Sequence, residues 1–415
     1  MSKINTGSFN EDHELQAVPE AHRRSILTMF ALMLGFTFFS ASMWTGQKLE
    51  AGLNLDNFIY AVLIGGAILG VYTSTLAYIG AKTGLTMDLL SQHTFGKKGS
   101  FLPSLLISFT QIGWFGVGVA MFALPVAHLI SPDTSWLPMF LVILAGALMT
   151  TSAFIGIKAL TLISYISVPL IAILGIMSMY LAVSGSDSSI SAKFAENNDM
   201  SLFTGVGLVV GSFISGGTAT PNFTRFAKNP THAVLTTVVA FFLGNGLMFA
   251  FGAISGAFSN GSDIFDVMIG LNLGFFAILV LGLNIWTTND NALYTVGLGL
   301  SNITKQPKRP MVLIAGIVGT LSAIWLYNNF VGWLSVLNAT LPPIGAILIV
   351  GYFMHRKEYQ IENEVSTEVN VFAIAGVILG ALIANNLSWG ISSINGMVIA
   401  AVCYIIGEKF FKSKK

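Results

Sequence analysis

The chain has 415 residues, of which 54% are hydrophobic and only 9% charged, and its formal net charge is +1. A soluble domain carries roughly 25% charged residues, so soluble-enzyme, disordered and nucleic-acid-binding readings fail, the last also because a near-neutral chain offers no basic field to a polyanion. The single cysteine, Cys403, excludes an intramolecular disulfide and any cysteine cluster for zinc, and what remains is a polytopic helical membrane protein.

No signal peptide precedes the first apolar run. Residues 1–24 read as a polar, weakly acidic tail (Glu11, Asp12, Glu14, Glu20) ending in Arg23 and Arg24. A span needs about 20 mostly apolar residues. That window predicts twelve spans, at 25–47, 57–80, 101–128, 136–156, 159–183, 201–224, 232–258, 267–299, 311–329, 331–353, 370–387 and 390–407, before a second tail at 408–415. With both ends in the cytoplasm, eighteen of the 20 Lys and Arg fall inside, from Lys3 to Lys414 and Lys415, and only Lys48 and Lys193 fall outside. This asymmetry supports an even number of spans and cytoplasmic termini. The short loops leave no room for a soluble catalytic domain.

Two spans carry helix-weakening runs. Span 1 holds Gly35-Phe36-Thr37-Phe38-Phe39-Ser40-Ala41-Ser42, and span 6 holds the stretch from Gly211 to Pro221. Irregular backbone at membrane depth is tolerated where it is buried in protein or lines a cavity. Five spans separate the two, so they cross in opposite directions, as interrupted helices do in a transporter built from inverted halves. Close helix packing is the bland alternative for each run taken singly.

Span 3 places Gln111 and Trp114 three residues apart, on one helix face. With Phe213 of span 6 as a facing ring, they suggest a stacking slot for a flat, neutral, hydrogen-bonding ligand. Span 8 is the most polar, and Asn284, Thr287 and Thr288 share one face. Their oxygens, with unwound carbonyls from Gly35 and Phe38, suit a hard cation. Back-bonding of the threonines to their own helix is the alternative. Asp290 is the only carboxylate well inside a span and reads as a helix-pairing or gating residue. No histidine lies mid-span, which argues against a proton relay. A channel would want a continuous polar stripe, and an enzyme would need an acid, His or Cys constellation that the spans lack.

The runs Thr37 to Gly46, Gln111 to Gly118, Gly211 to Ser215 and Leu281 to Asn291 resemble the cytosine-transporting bacterial members of the nucleobase:cation symporter-1 family, over about residues 25–411. The resemblance implies an all-α LeuT-type fold: inverted five-helix repeats at 25–183 and 201–354, plus two additional helices at 370–407. It implies a sodium-coupled symporter, not an enzyme, that carries cytosine across the bacterial inner membrane by alternating access. A proton-coupled permease for another nucleobase, hydantoin or allantoin is the nearest rival. Trp114 and Phe213 would sandwich the base. Gln111 and Asn284 would read its polar edge with help from Ser212 and Ser215, and Phe39 would line the pocket. The sodium ligands would be the carbonyls of Gly35, Phe38 and Asn284 and the hydroxyls of Thr287 and Thr288. The expected partners are cytosine and the lipid bilayer, with no nucleic acid and no obligate protein partner.

Overall fold

A computed structural model describes residue 13 and residues 15–153, 157–195, 199–259, 261, 263–359, 365–387 and 389–412. The tail residues Lys3, Glu11, Asp12, Glu14, Lys414 and Lys415 lie outside that range. Each of the twelve expected spans coincides with a helix or a helical pair. Span 1 is Ile26–Thr37 followed by Ser40–Glu50, bent by 46°. Spans 2 to 5 are Leu55–Thr83, Phe101–Ile130, Leu137–Ser152 and Ile157–Ser184. Span 6 is Leu202–Thr218 with a short continuation at Pro221–Thr224, and span 7 is Pro230–Ala257. Span 8 is Gly282–Thr304, span 9 Lys308–Asn328 and span 10 Phe330–Met354. Spans 11 and 12 are Val371–Asn386 and Ser392–Ile406. Among the described residues, seven helices are long and apolar enough to cross a membrane, and the bent pair makes an eighth. Spans 4, 6 and 11 are shorter apolar helices.

Side-chain caps fix several starts. Ser25, Asn54, Ser201, Asn229 and Asn370 each accept a backbone N–H from the first turn of the helix that follows. Two expected boundaries move. Span 8 does not begin at 267, because Asn272 adopts the left-handed conformation (φ 59°) and cuts off a separate helix, Ile264–Gly270. Asn tolerates that conformation better than most residues. The helix then resumes at Gly274 and runs through a π-turn, Ala277–Leu281, into span 8. In span 6 the helix continues through Gly211–Gly217 and breaks only at Ala219–Thr220. Pro221 has no N–H to extend the ladder, and Thr220 instead donates to Gly217 O in a tighter turn.

The chain's two ends lie on one face. The segment before span 1 is laced to it: Val18 N–H donates to Gly84 O, and Arg24 pairs with Ala227 through a parallel bridge. The fully buried Arg225 donates to the carbonyls of Asn222 and His13 and to the Tyr294 hydroxyl. A helix at Met87–Phe95, between spans 2 and 3, joins this segment to the other end of the chain. Met87 N–H donates to Asn222 Oδ1, and Thr94 O accepts from Asn370, whose amide also donates to Glu408.

Asp88 on that helix is buried, with Oδ1 accepting from Ser104 Oγ at 2.5 Å. Burial pushes its carboxyl up to about 6, against the pull of Ser104 and the more distant Arg225 and Lys305. A carboxyl raised in the folded state contributes stability below the unfolded value near 3.8, and loses it as pH rises through about 6. Asp88→Asn is therefore expected to flatten the fall in thermal midpoint between about pH 4 and 6, by at most about 3 kcal/mol of stability. Melting curves of both proteins across that range check it; parallel slopes would show that Asp88 is not the titrating group.

Candidate functional site

The break in span 1 follows from where its backbone hydrogen bonds go. In a continuous helix Phe39 N–H would serve Gly35 O, Ser40 N–H would serve Phe36 O, and Ser42 N–H would serve Phe38 O. Here Phe39 N–H turns to Thr37 O, Ser42 N–H goes to Phe39 O, and Ser40 N–H goes across to Asn284 Oδ1 at 2.9 Å. The Gly35 and Phe38 carbonyls thus lose their helical donors. Asn284 Nδ2 supplies one of them, donating to Phe38 O. One buried amide on span 8 therefore holds both sides of the break.

The far half of span 1 is clamped against span 7 with almost no side chain between them. A Cβ at Gly252 would stand 1.7 Å from Met43 O, and one at Gly46 would stand 2.2 Å from Phe249 O. Small residues permit such backbone contact.

Span 3 uses its glycines in the same way. A Cβ at Gly113 would meet the Trp333 ring at 2.3 Å, one at Gly116 the Gly319 carbonyl at 2.7 Å, and one at Gly118 Asn289 Oδ1 at 2.3 Å. Three neighbouring spans thus press onto span 3, while Gln111 and Trp114 turn to a common cavity. That cavity, about 20 Å³, is lined by Phe36 and Phe39 of span 1, Gln111 and Trp114 of span 3, Ser212, Phe213 and Gly216 of span 6, and Thr288, Asn289 and Ala292 of span 8. Every lining residue is buried. None carries a charge.

Five of the seven residues expected around the ligand therefore share this cavity: Phe39, Gln111, Trp114, Ser212 and Phe213. Two do not line it. Ser215 is committed to Gln111 Nε2 at 2.9 Å and to Thr110 Oγ1 at 2.6 Å, so it orients the glutamine. The Asn284 side chain, expected at a ligand edge, is held at the span 1 break. Asn289 takes the wall position that sequence reasoning missed. Its Nδ2 donates to Phe115 O at 3.2 Å and lies 3.1 Å from Met149 Sδ.

Among the aromatic contacts of the wall, Trp114 meets Phe39 edge-on at 5.7 Å and Phe330 at 6.2 Å, whereas Phe213 meets Phe36 and Phe241 edge-on at 5.1 Å. Toward the face opposite the chain ends, Trp44 lies stacked on Phe330 at 4.0 Å, covering the Trp114 side of the cavity.

Of the oxygens grouped in the sequence, the three of span 8 lie together. Thr287 Oγ1 and Thr288 Oγ1 donate to Asn284 O at 2.7 and 3.0 Å, as the back-bonding alternative anticipates, leaving their lone pairs unspent. Asn284 ties this group to Phe38 O, and Ser40 Oγ beside the break is buried without a partner. Asp290 lies outside the cavity wall. Its Oδ1 accepts from Ser152 Oγ at 2.6 Å, and that hydroxyl also accepts from Trp286 Nε1 at 2.7 Å, which fits a helix-pairing role between spans 8 and 4.

Comparison with known proteins places this geometry. Residues 17–407 match the family described as a permease for cytosine/purines, uracil, thiamine and allantoin. The cytosine permease of Escherichia coli strain K12 is 50% identical over 393 residues, covering 94% of this chain and 92% of that protein. Among solved structures, the inward-facing conformation of Mhp1 superposes with a TM-score of 0.83 at 18% identity, over 96% of this chain and 93% of that one. A sodium-coupled sialic acid symporter in a substrate-bound outward-open state superposes with a TM-score of 0.72 at 14% identity, over 97% and 94%. The likeness to these structures makes the architecture that of the LeuT-type transporters, with interrupted helices at spans 1 and 6. From the profile match and the half-identical relative it follows that this chain is a multi-pass membrane permease of the nucleobase:cation symporter-1 family.

Proposed function

We propose that the protein imports cytosine across the bacterial cytoplasmic membrane, with sodium as the coupling ion, by alternating access of the cavity between spans 1, 3, 6 and 8. The observation that carries this reading is the half-identical relative, a cytosine permease, taken together with the chemistry of the wall. Gln111 Nε2 is spent on Ser215, Asn289 Nδ2 on Phe115 O, Ser212 Oγ–H on Val209 O and Thr288 Oγ–H on Asn284 O. The Ser212 and Thr288 hydroxyls thus hold out lone pairs, and the Gln111 amide holds out its oxygen and a second N–H. An uncharged wall of this kind favours a neutral ring that carries both donors and acceptors, and cytosine offers an amino donor beside an acceptor ring nitrogen. Uracil replaces that amino group with a carbonyl, which would face an acceptor with an acceptor.

Sodium would travel as cargo with the base. The carbonyls of Gly35, Phe38 and Asn284 and the hydroxyls of Thr287 and Thr288 form an all-oxygen set without a carboxylate, suited to a monovalent hard cation. Thr288 belongs both to this set and to the cavity wall, which puts ion and base side by side. The sodium-coupled neighbour of the same fold supports the choice of ion. On the positive-inside pattern, the face bearing the chain ends is cytoplasmic.

Uptake of radiolabelled cytosine into proteoliposomes tests the whole reading. The expected result is accumulation that requires an inward sodium gradient, competition by analogues that keep the amino group, and little competition by uracil or thymine. Gln111→Ala and Asn289→Ala are each expected to weaken cytosine about 10-fold, the cost of removing a partner from a buried polar group. Equal competition by uracil would show that stacking alone sets the choice. Accumulation driven by a pH gradient without sodium would replace the ion.

A further inference from the structure

A second cavity, about 380 Å³, opens on the face opposite the chain ends, between the start of span 6, span 10 and the hairpin of spans 11 and 12. Its polar lining comes from Ser201, Thr204, Ser335, Asn338, Asn385, Asn386 and Ser392, and no lining residue is charged. The donors of this lining are largely spent locally. Asn385 and Asn386 Nδ2 donate to Ala381 O and Leu382 O, Ser335 Oγ–H donates to Val331 O, and the Ser201 and Thr204 hydroxyls bond each other. At the base, Asn338 is 7% exposed and its Oδ1 has no partner. Its Nδ2 faces span 6, 3.0 Å from where a Cβ on Gly207 would stand. The cavity is thus walled by amide and hydroxyl oxygens, one of them buried and unsatisfied.

Two helix ends add direction. Span 11 ends at Asn386, so its last carbonyls and the negative end of its dipole face this cavity, and span 12 begins at Ser392, where no side chain caps the first N–H groups. The site therefore offers acceptors for a cationic donor and, a few residues away, amides for an anion. The rim is apolar: Phe203 and Leu387 line the cavity and are exposed, and Trp389 beside them is 78% exposed.

We infer that this cavity binds a primary ammonium carried on a phosphodiester, the headgroup of an ethanolamine phospholipid. The –NH₃⁺ has three donors for the oxygens of Asn338, Asn385 and Asn386, the phosphate meets the start of span 12, and the acyl chains leave over the apolar rim. A choline headgroup has no N–H to give, and a glycerol headgroup has no cation. Such a lipid would tie span 10 to spans 6 and 11.

The test is lipid retention by the full-length protein in detergent, read by native mass spectrometry with ethanolamine, choline and glycerol phospholipids of identical acyl chains. The expected result is about a 10-fold preference for the ethanolamine lipid, the value of a hydrogen bond to a charged group. The preference should vanish in Asn385→Ala/Asn386→Ala, whose side chains are exposed and not needed for folding, and in Asn338→Ser. Equal retention of the three lipids, or a preference untouched by both variants, would overturn the proposal. Thermal stabilisation by free ethanolamine with no lipid retained would reassign the site to a soluble amine and overturn the lipid.

Discussion

Trp114→Ala is expected to weaken cytosine binding by about 5- to 150-fold, the largest effect of any single wall residue, because base–aromatic stacking is worth roughly 1–3 kcal/mol. The tryptophan holds a second role that raises the cost. Its ring is the bearing surface for Phe39 across the span 1 break and for Phe330 at the start of span 10. Phe330 in turn carries the Trp44 stack on the side facing away from the chain ends. Deleting the indole removes one wall of the slot and also the support under that cover. Trp114→Phe keeps a ring for both contacts and should recover most of the loss. Phe213→Ala should cost about as much in stacking as the tryptophan, but its ring neighbours are Phe36 and Phe241, away from the Trp44–Phe330 stack, so that stack should be undisturbed. Binding by isothermal titration, with thermal midpoints measured in parallel, separates these outcomes. Unchanged affinity in a folded Trp114→Ala protein would remove stacking from the account.

The span plan and most of the cavity were legible because each rests on one-dimensional signals. Apolar run length and the Lys/Arg asymmetry set the spans, and Gln111 and Trp114 share a face simply because they are three residues apart. The place of the Asn284 side chain was not legible because its polarity is visible in sequence, whereas its partner Ser40 on the interrupted backbone lies 244 residues away. The same run holds Asn289, five residues further on, and no periodicity argument chooses between the two amides. What decides is Gly118 across the interface, whose missing side chain makes room for Asn289 Oδ1. Where span 6 breaks within the run from Gly211 to Pro221 is decided by packing for a related reason. Glycine-rich sequence weakens a helix, but neighbouring helices packed on Gly211 and Gly216 keep it helical until Pro221 removes a donor. The cavity beside Asn338 has no sequence signal, since it is made by three segments that meet only in the fold.

Asn284→Ala is expected to raise the sodium concentration required for half-maximal cytosine binding by about 10-fold or more, without deleting any proposed sodium ligand. The side chain donates to Phe38 O and accepts from Ser40 N–H, and it is fully buried. A carbonyl oxygen has two lone pairs, so Phe38 O can take the amide and still face an ion. The amide would therefore act as a positioning residue, holding the broken backbone that carries the Gly35 and Phe38 carbonyls of the proposed ion site. Without it, two buried backbone groups lose a partner, each at about 1–3 kcal/mol, and the break is free to relax away from the ion. Thr288→Ala should also raise the sodium requirement, by removing a ligand, and should weaken cytosine as well because Thr288 lines the cavity. Linkage makes the coupling reciprocal: whatever factor sodium lends to cytosine, cytosine lends to sodium. A smaller sodium effect on cytosine must then appear as a smaller cytosine effect on sodium in the same variant. One sodium ion moving down about 100 mV releases roughly 2.3 kcal/mol, and a tenfold gradient adds about 1.4 kcal/mol, enough to concentrate a neutral base several-hundred-fold. Loosening the break should erode that accumulation ratio before it abolishes exchange of labelled for unlabelled cytosine. The measurement is cytosine binding titrated with sodium at constant ionic strength, choline replacing sodium, in the native protein, Asn284→Ala and Thr288→Ala. An unchanged sodium midpoint in Asn284→Ala would mean that the break keeps its shape without the amide, and the positioning role would fall.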